Sequence, residues 1–188
     1  MATATAPAAR LLTVGHGTLE APQLAALLRA ASVRLVVDVR RFPASRRHPH
    51  FRREAMAAWL PEAGVDYRWE ESLGGRRAAA PSSPNTGLRN AGFRGYADHM
   101  RTPAFRAALT RVLTEAAHRR TAVLCAESVW WRCHRRLVAD AAALLHDAQV
   151  AHLHHDGRLH PHEPTDWVTR EGDVLVYARR REPTLPEV

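Results

Sequence analysis

TAVLCAESVWWRCHRRLVADAAALL, Thr121–Leu145, opens as a short apolar run and closes as a helical one, with a dense polar segment between. The run Thr121–Cys125 has the length and apolar character of a buried strand. The stretch from about His134 to His146 spaces its apolar residues as a helix does. Between them, Cys125–Arg136 holds two cysteines, a glutamate, two tryptophans, a histidine and three arginines. A turn that only joined a strand to a helix would need a cap and little else.

The same alternation extends in both directions. Upstream, Leu11–Gly15 (LLTVG) is a strand, and Glu20–Ala31 reads as a helix capped by Thr18. Arg34–Arg40 (RLVVDVR) is a continuous β-branched run, as expected of a strand covered on both faces. Arg52–Gly64 is a second helix, interrupted late by Pro61. Val65–Glu71 (VDYRWEE) is a third strand, and Tyr96–Met100 and Pro103–Arg119 are helices. Downstream, Val150–His155 is a fifth strand, and Gly172–Arg180 (GDVLVYARR) is expected to add a strand at an edge. The long segment Leu73–Gly92 is rich in Gly, Pro, Ser and Asn and reads as a loop.

Strands alternating with helices imply right-handed crossovers. The expected fold is therefore a single α/β domain, Rossmann-like and three-layered, with a mostly parallel sheet flanked by helices on both faces. The domain is expected over residues 11–180, with a disordered tail at 1–10 and a C-terminal tail at 181–188. Open parallel sheets bind ligands at the carboxyl ends of their strands. Those ends carry Gly15-His16-Gly17-Thr18, Asp38-Val39-Arg40-Arg41 and Cys125-Ala126-Glu127, so these groups are expected to converge on one rim.

The chain has 188 residues, 46% of them hydrophobic, and a formal net charge of +8. No apolar run approaches the roughly 18 residues of a membrane helix, and the start lacks the pattern of a secretory signal. These features point to the cytoplasm, where two cysteines are expected as thiols. All 27 basic residues are arginine. Bulk arginine is explained by base composition of the genome; clustered arginine is not. Clusters occur at Arg40-Arg41, Arg46-Arg47 and Arg52-Arg53, at Arg76-Arg77, and at Arg89 with Arg94, all in segments expected near the strand ends.

The motifs TVGHGT, VVDVRRFPASRRHPHF, LGGRR, GFRGYADHM, AVLCAESVWWRCHRRLVAD and VAHLHHDGRLHPH resemble, in order, those of the bacterial and archaeal family catalogued as domain of unknown function 488. The resemblance runs from about Leu11 to His162. It implies a compact α/β domain and carries no agreed reaction. Where the family pattern has Ser after Gly-His, this chain has Gly17, which weakens any idea of a hydroxyl nucleophile there.

Three chemistries fit the residues. In the first, the protein is a hydrolase acting on a nucleic acid or nucleotide, at a base or its glycosidic bond. Glu127, Asp38 and His134 are then candidates for acid–base work. His16, Arg40, Arg46, Arg76, Arg77, Arg94, Arg132 and Arg135 would hold substrate, with Tyr96 and Trp131 as stacking surfaces. In the second, Cys125 is the nucleophile of a sulfur- or phosphate-transfer enzyme, favoured by a helix N-terminus and arginines. Its loop lacks the glycines with which rhodanese-like and phosphatase loops cradle an anion. The third is a non-catalytic module that binds an anion or RNA. Cys125, Cys133 and His134 also invite a metal, but C-x7-C-H is not the spacing of the usual structural zinc sites, so no cofactor is expected.

Overall fold

The computed structural model describes residues 9–178; of the expected tails, all but Ala9 and Arg10 lies outside the described residues. In chain order the elements are β1 (Leu11–Gly15), α1 (Ala21–Ala30), β2 (Leu35–Asp38), α2 (Arg53–Glu62), β3 (Asp66–Trp69), α3 (Ala91–Met100), α4 (Pro103–His118), β4 (Thr121–Cys125), α5 (Arg135–His146), β5 (Val150–Leu153), β6 (Leu159–Pro161), β7 (Thr169–Glu171) and β8 (Val174–Val176). The main sheet has the order β3-β2-β4-β1-β5-β6. Its first five strands are parallel, and β6 closes the edge antiparallel to β5.

The pleat sends alternate residues to opposite faces, and each face has its own core. Leu12, Val14, Val36, Ala122 and Leu124 pack on Leu24 and Leu28 of α1 and on Met56 and Leu60 of α2. Leu11, Leu35, Val37, Val123 and Cys125 pack on Tyr96 of α3, on Leu109 and Val112 of α4, and on Leu137 and Val138 of α5. Each such buried side chain contributes roughly 1.5–3 kcal/mol of hydrophobic stabilisation. The result is the three-layer α/β arrangement that the strand–helix alternation implies.

This layering positions the site. The helices after β1 and β2 lie on one face, and the helix after β4 lies on the other. β4 sits between β2 and β1. The chain therefore leaves neighbouring strands in opposite directions, and a crevice opens above the carboxyl ends of β1, β2 and β4.

Several local expectations change. The N-cap of α1 is Glu20, whose backbone N–H donates to Gln23 Oε1 at 2.8 Å, and not Thr18. α3 begins at Ala91, five residues before Tyr96, because Asn90 Oδ1 accepts from the backbone N–H of Gly92 and Phe93. Pro61 falls in the last turn of α2 and ends it after Glu62. The strand at Val174–Val176 pairs with β7 in a separate hairpin and does not join the main sheet, whose edge is taken by β6.

A buried polar chain ties the carboxyl half of the molecule together. Asp140 of α5 is fully buried and accepts from His162 Nε2 (3.0 Å), Thr165 N (2.9 Å), Thr165 Oγ1 (2.8 Å) and Tyr177 Oη (2.9 Å). Because a carboxylate only accepts, the His162 proton must sit on Nε2. His162 Nδ1 then accepts from His152 Nε2 at 3.0 Å, and His152 Nδ1 accepts from Thr13 Oγ1 at 2.7 Å. His152 and His162 are therefore structural, linking Thr13 of β1 to Asp140 of α5. Replacing Asp140 by Asn leaves donors unmatched, and is expected to lower unfolding free energy by about 2–4 kcal/mol in urea titrations. The exposed Glu171→Gln should leave it unchanged.

Candidate functional site

A cleft of about 640 Å³ occupies the crevice. It is lined by Gly17 and Thr18 after β1, by Arg40–Phe42 after β2, by Cys125–Ser128 after β4, by Arg132–His134 before α5, and by residues of the loop before α3 and of α3 itself. The three strand-end groups do meet. Register places Gly15 beside Cys125 and Asp38 beside Leu124, and His16 N and Gly17 N donate to the carbonyls of Cys125 and Ala126, each at 2.9 Å. Gly15 is required by this approach: a side-chain carbon there would overlap the Glu127 carbonyl.

At the floor lie two sulfurs and an imidazole. Cys125 ends β4, and Cys133 and His134 open α5. His134 Nε2 is 3.1 Å from the Val39 carbonyl. A carbonyl only accepts, so Nε2 carries a proton and Nδ1 faces the sulfurs, 3.9 Å from Cys125 Sγ and 3.7 Å from Cys133 Sγ. The hydrogen bond to Cys133, together with burial, pushes the Cys125 thiol well up. The same hydrogen bond, with His134 and Arg135 beside it, pulls Cys133 well down. Arg135 donates Nε to Cys133 Sγ at 3.4 Å and Nη2 to the Glu127 carbonyl, which closes the loop between strand and helix.

Above the floor stand Arg40, Arg41, Arg76 and Arg132. Arg40 is committed to Asp38, with Nε to Oδ1 at 2.8 Å. The other three have no carboxylate partner among the described residues, whereas Arg68, Arg106, Arg111 and Arg119 are all ion-paired. Arg41 Nη1 instead donates to the Arg76 carbonyl at 2.6 Å. Arg76 sits at φ 57°, a left-handed conformation that costs a residue with a side chain about 1–2 kcal/mol.

The remaining candidates divide. Asp38 is fully buried and points to the α1/α2 face, away from the sulfurs. It accepts from Arg40 and from Tyr67 Oη (2.8 Å), and lies outside the cleft lining. Arg40 Nη1 is 3.2 Å from His16 Nε2, and His16 stacks on Phe51 at 4.0 Å. Asp38 thus orients Arg40, and Arg40 orients His16. Glu127 lines the cleft but is exposed, and its Oε1 accepts from Val129 N at 3.1 Å. It is not the buried carboxylate that acid–base work would favour. Tyr96 lines the floor edge-on with its hydroxyl donated to the Leu73 carbonyl at 2.7 Å. Trp131 is half exposed outside the lining. Arg77 and Arg94 spend their guanidinium groups on backbone carbonyls of their own loop, and Arg46 is exposed beyond the rim. Cys133 lines the cleft beside His134, the pair whose residue types already invite a metal, and Phe42, Gly75 and Asn90 line it without any chemistry in the sequence that marks them.

A family model described as "Domain of unknown function DUF488" matches residues 20–142, more than half of the chain. The chain belongs to this family. No curated protein and no solved structure matches it. The DUF488 match takes in the sulfur–imidazole floor and the arginine rim. It stops short of the Gly15–Thr18 turn and of the histidines from His152 onward.

Burial and the nearby Arg40 lower His16 from 6.5 to about 4, and burial with His162 lowers His152 from 6.5 to about 3. Both are neutral bases in the fold and bind a proton more readily when unfolded. Between pH 6.5 and about 4 the unfolded state takes up more protons, so stability falls as pH falls through that window. Urea unfolding from pH 7 to 4.5 should show this loss, of roughly 2–3 kcal/mol for each histidine at its lower end. His16→Gln should flatten the slope.

Proposed function

We propose that this DUF488 protein is a hydrolase that acts on a nucleotide or nucleic acid bound in the cleft, at a base or its glycosidic bond. The observation that carries the reading is the cation imbalance of the lining. Arg41, Arg76 and Arg132 gather on one cleft whose lining holds a single carboxylate, Glu127, and among the described residues none of the three has a carboxylate partner. Unmatched guanidinium groups around a concavity suit phosphate oxygens, which they grip through two parallel N–H donors. Phe42 and Phe93 offer apolar faces beside them for a planar base. Under this reading the sulfur–imidazole floor supplies the reactive groups, and Asp38 positions Arg40. A cytoplasmic location suits two unjoined thiols.

The thiol-transfer alternative would run through Cys133, whose Sγ receives Arg135 Nε at 3.4 Å, with Cys125 pushed up beside it by Cys133 and burial. The segment Ala126–Arg132 offers no glycine-rich anion cradle.

Fluorescence anisotropy of the full chain with labelled single- and double-stranded oligonucleotides over a salt series tests the binding half. Affinity should fall with salt, and Arg76→Ala with Arg132→Ala should lower the slope of log K against log salt by about 1.5. No binding, or binding indifferent to salt, overturns the reading. Mass spectrometry of the incubated oligonucleotide tests turnover: a released or altered base supports a hydrolase, and binding without change leaves a non-catalytic anion- or RNA-binding module.

A further inference from the structure

We propose that Cys125, Cys133 and His134 form a three-ligand site for a divalent transition metal of the zinc type, with its fourth position open to the cleft. The three ligand atoms lie within 4.8 Å of one another. Zinc bonded to sulfur at about 2.3 Å and to nitrogen at about 2.0–2.1 Å, with tetrahedral angles, holds sulfur and nitrogen roughly 3.6 Å apart. The observed separations from His134 Nδ1 are 3.7 and 3.9 Å. Little movement separates the present arrangement from a coordinated one.

The surroundings are those of a metal site. A ligating histidine usually donates its other ring N–H to a backbone carbonyl or carboxylate, which sets its tautomer and aim. His134 does this through Nε2 to Val39. Arg135 Nε donates to Cys133 Sγ, as thiolate ligands receive N–H donors. The floor is otherwise apolar and buried, and thiolate with imidazole is the donor set that selects zinc and its neighbours over magnesium or calcium. Gly75 packs against the imidazole. A side-chain carbon there would lie 2.8 Å from His134 Nδ1 and 3.2 Å from both Cγ and Cε1, over the ring face. A glycine at this position therefore lets the ring keep the place that aims Nδ1 at the sulfurs. All three ligands line the cleft, which leaves the fourth position facing whatever the arginines hold.

On loading, any proton still held by a cysteine sulfur or by Nδ1 is released to solvent as that atom bonds the metal. The C-x7-C-H spacing differs from that of closed structural zinc sites because the ligands come from a strand end and a helix start. Three protein ligands with one open position is the pattern of catalytic zinc. The inference rests on the proposed hydrolase only for what the open position would serve.

Co2+ titration of the reduced full chain provides the test. One equivalent should produce a thiolate-to-cobalt charge-transfer band with the strong visible bands of a tetrahedral site, and Zn2+ should displace it. Cys125→Ser and Cys133→Ser should each weaken binding by at least about tenfold, while His154→Gln and His160→Gln should change nothing. Absence of the band, weak octahedral bands, or a band insensitive to either cysteine would overturn the site. If a cysteine variant fails to fold, the wild-type chain still decides: Zn2+ should protect both thiols from a disulfide reagent, and unprotected thiols count against the site. Arg76→Ala with Arg132→Ala should bind cobalt normally, so failure of the oligonucleotide assay and failure of the metal site remain distinguishable.

Discussion

A guanidinium with almost no contact with water underlies the site. Arg135 is 1% exposed, and among the described residues it is the largest fully buried side chain and no carboxylate pairs with it. Leaving a charge out of water costs several kcal/mol unless its donors find partners and its charge finds an opposite. Its donors reach the Glu127 carbonyl and Cys133 Sγ. The first contact folds the loop after β4 back over Gly15, which must lack a side chain to admit it. The second sets a charged donor against a sulfur at the cleft floor. One residue at the start of α5 therefore determines both the shape of the loop and the electrostatic character of the site beneath it.

The pleat separates what the strand ends bring together. Cys125 and Asp38 end neighbouring strands, yet their side chains project to opposite faces, one with α5 and the other with α2. The Asp38–Arg40–His16 group is consequently sealed against Phe51, Met56 and Tyr67, where it braces the rim from behind. The sulfur–imidazole group opens into the cleft. Convergence on an edge of a sheet does not make a single site; parity along each strand decides which members share a cavity.

This explains how far the sequence could be read. The layered α/β fold was legible because Leu11–Gly15, Leu35–Val37 and Ala122–Cys125 are short, mostly apolar runs separated by helical spacing. The rim was legible through the strand-end rule. The depth of each side chain was not. Whether Asp38 faces a cavity depends on its parity, and whether Glu127 is buried depends on a loop whose path is drawn by Arg135. The edge was misread for a related reason. Leu159–Pro161 carries three exposed residues, with His160 in register with His152, and none of the apolar alternation that marks a strand. It is held by pairing to β5 and by the His162–Asp140 bond that follows it. Val174–Val176 has the apolar pattern but spends it on Tyr96, Trp167 and the α5 face instead of on the main sheet.

The rim is preorganised, and that bears on what it can hold. The long loop before α3 is anchored by Asp98, which accepts from Ala80 N, Ser83 Oγ and Asn85 Nδ2, and by Tyr177 N donated to Asn85 Oδ1. Arg76 stands on that anchored segment in a left-handed conformation, with its carbonyl gripped by Arg41. The ordering cost of placing these cations was met during folding, so a ligand need not meet it again on binding. Glu127, the lone carboxylate of the lining, turns its oxygen back to the Val129 amide and opposes an anion less than a free carboxylate would. Three guanidinium groups without carboxylate partners, with one subdued carboxylate among them, leave the mouth of the cleft electropositive above the sulfur–imidazole floor.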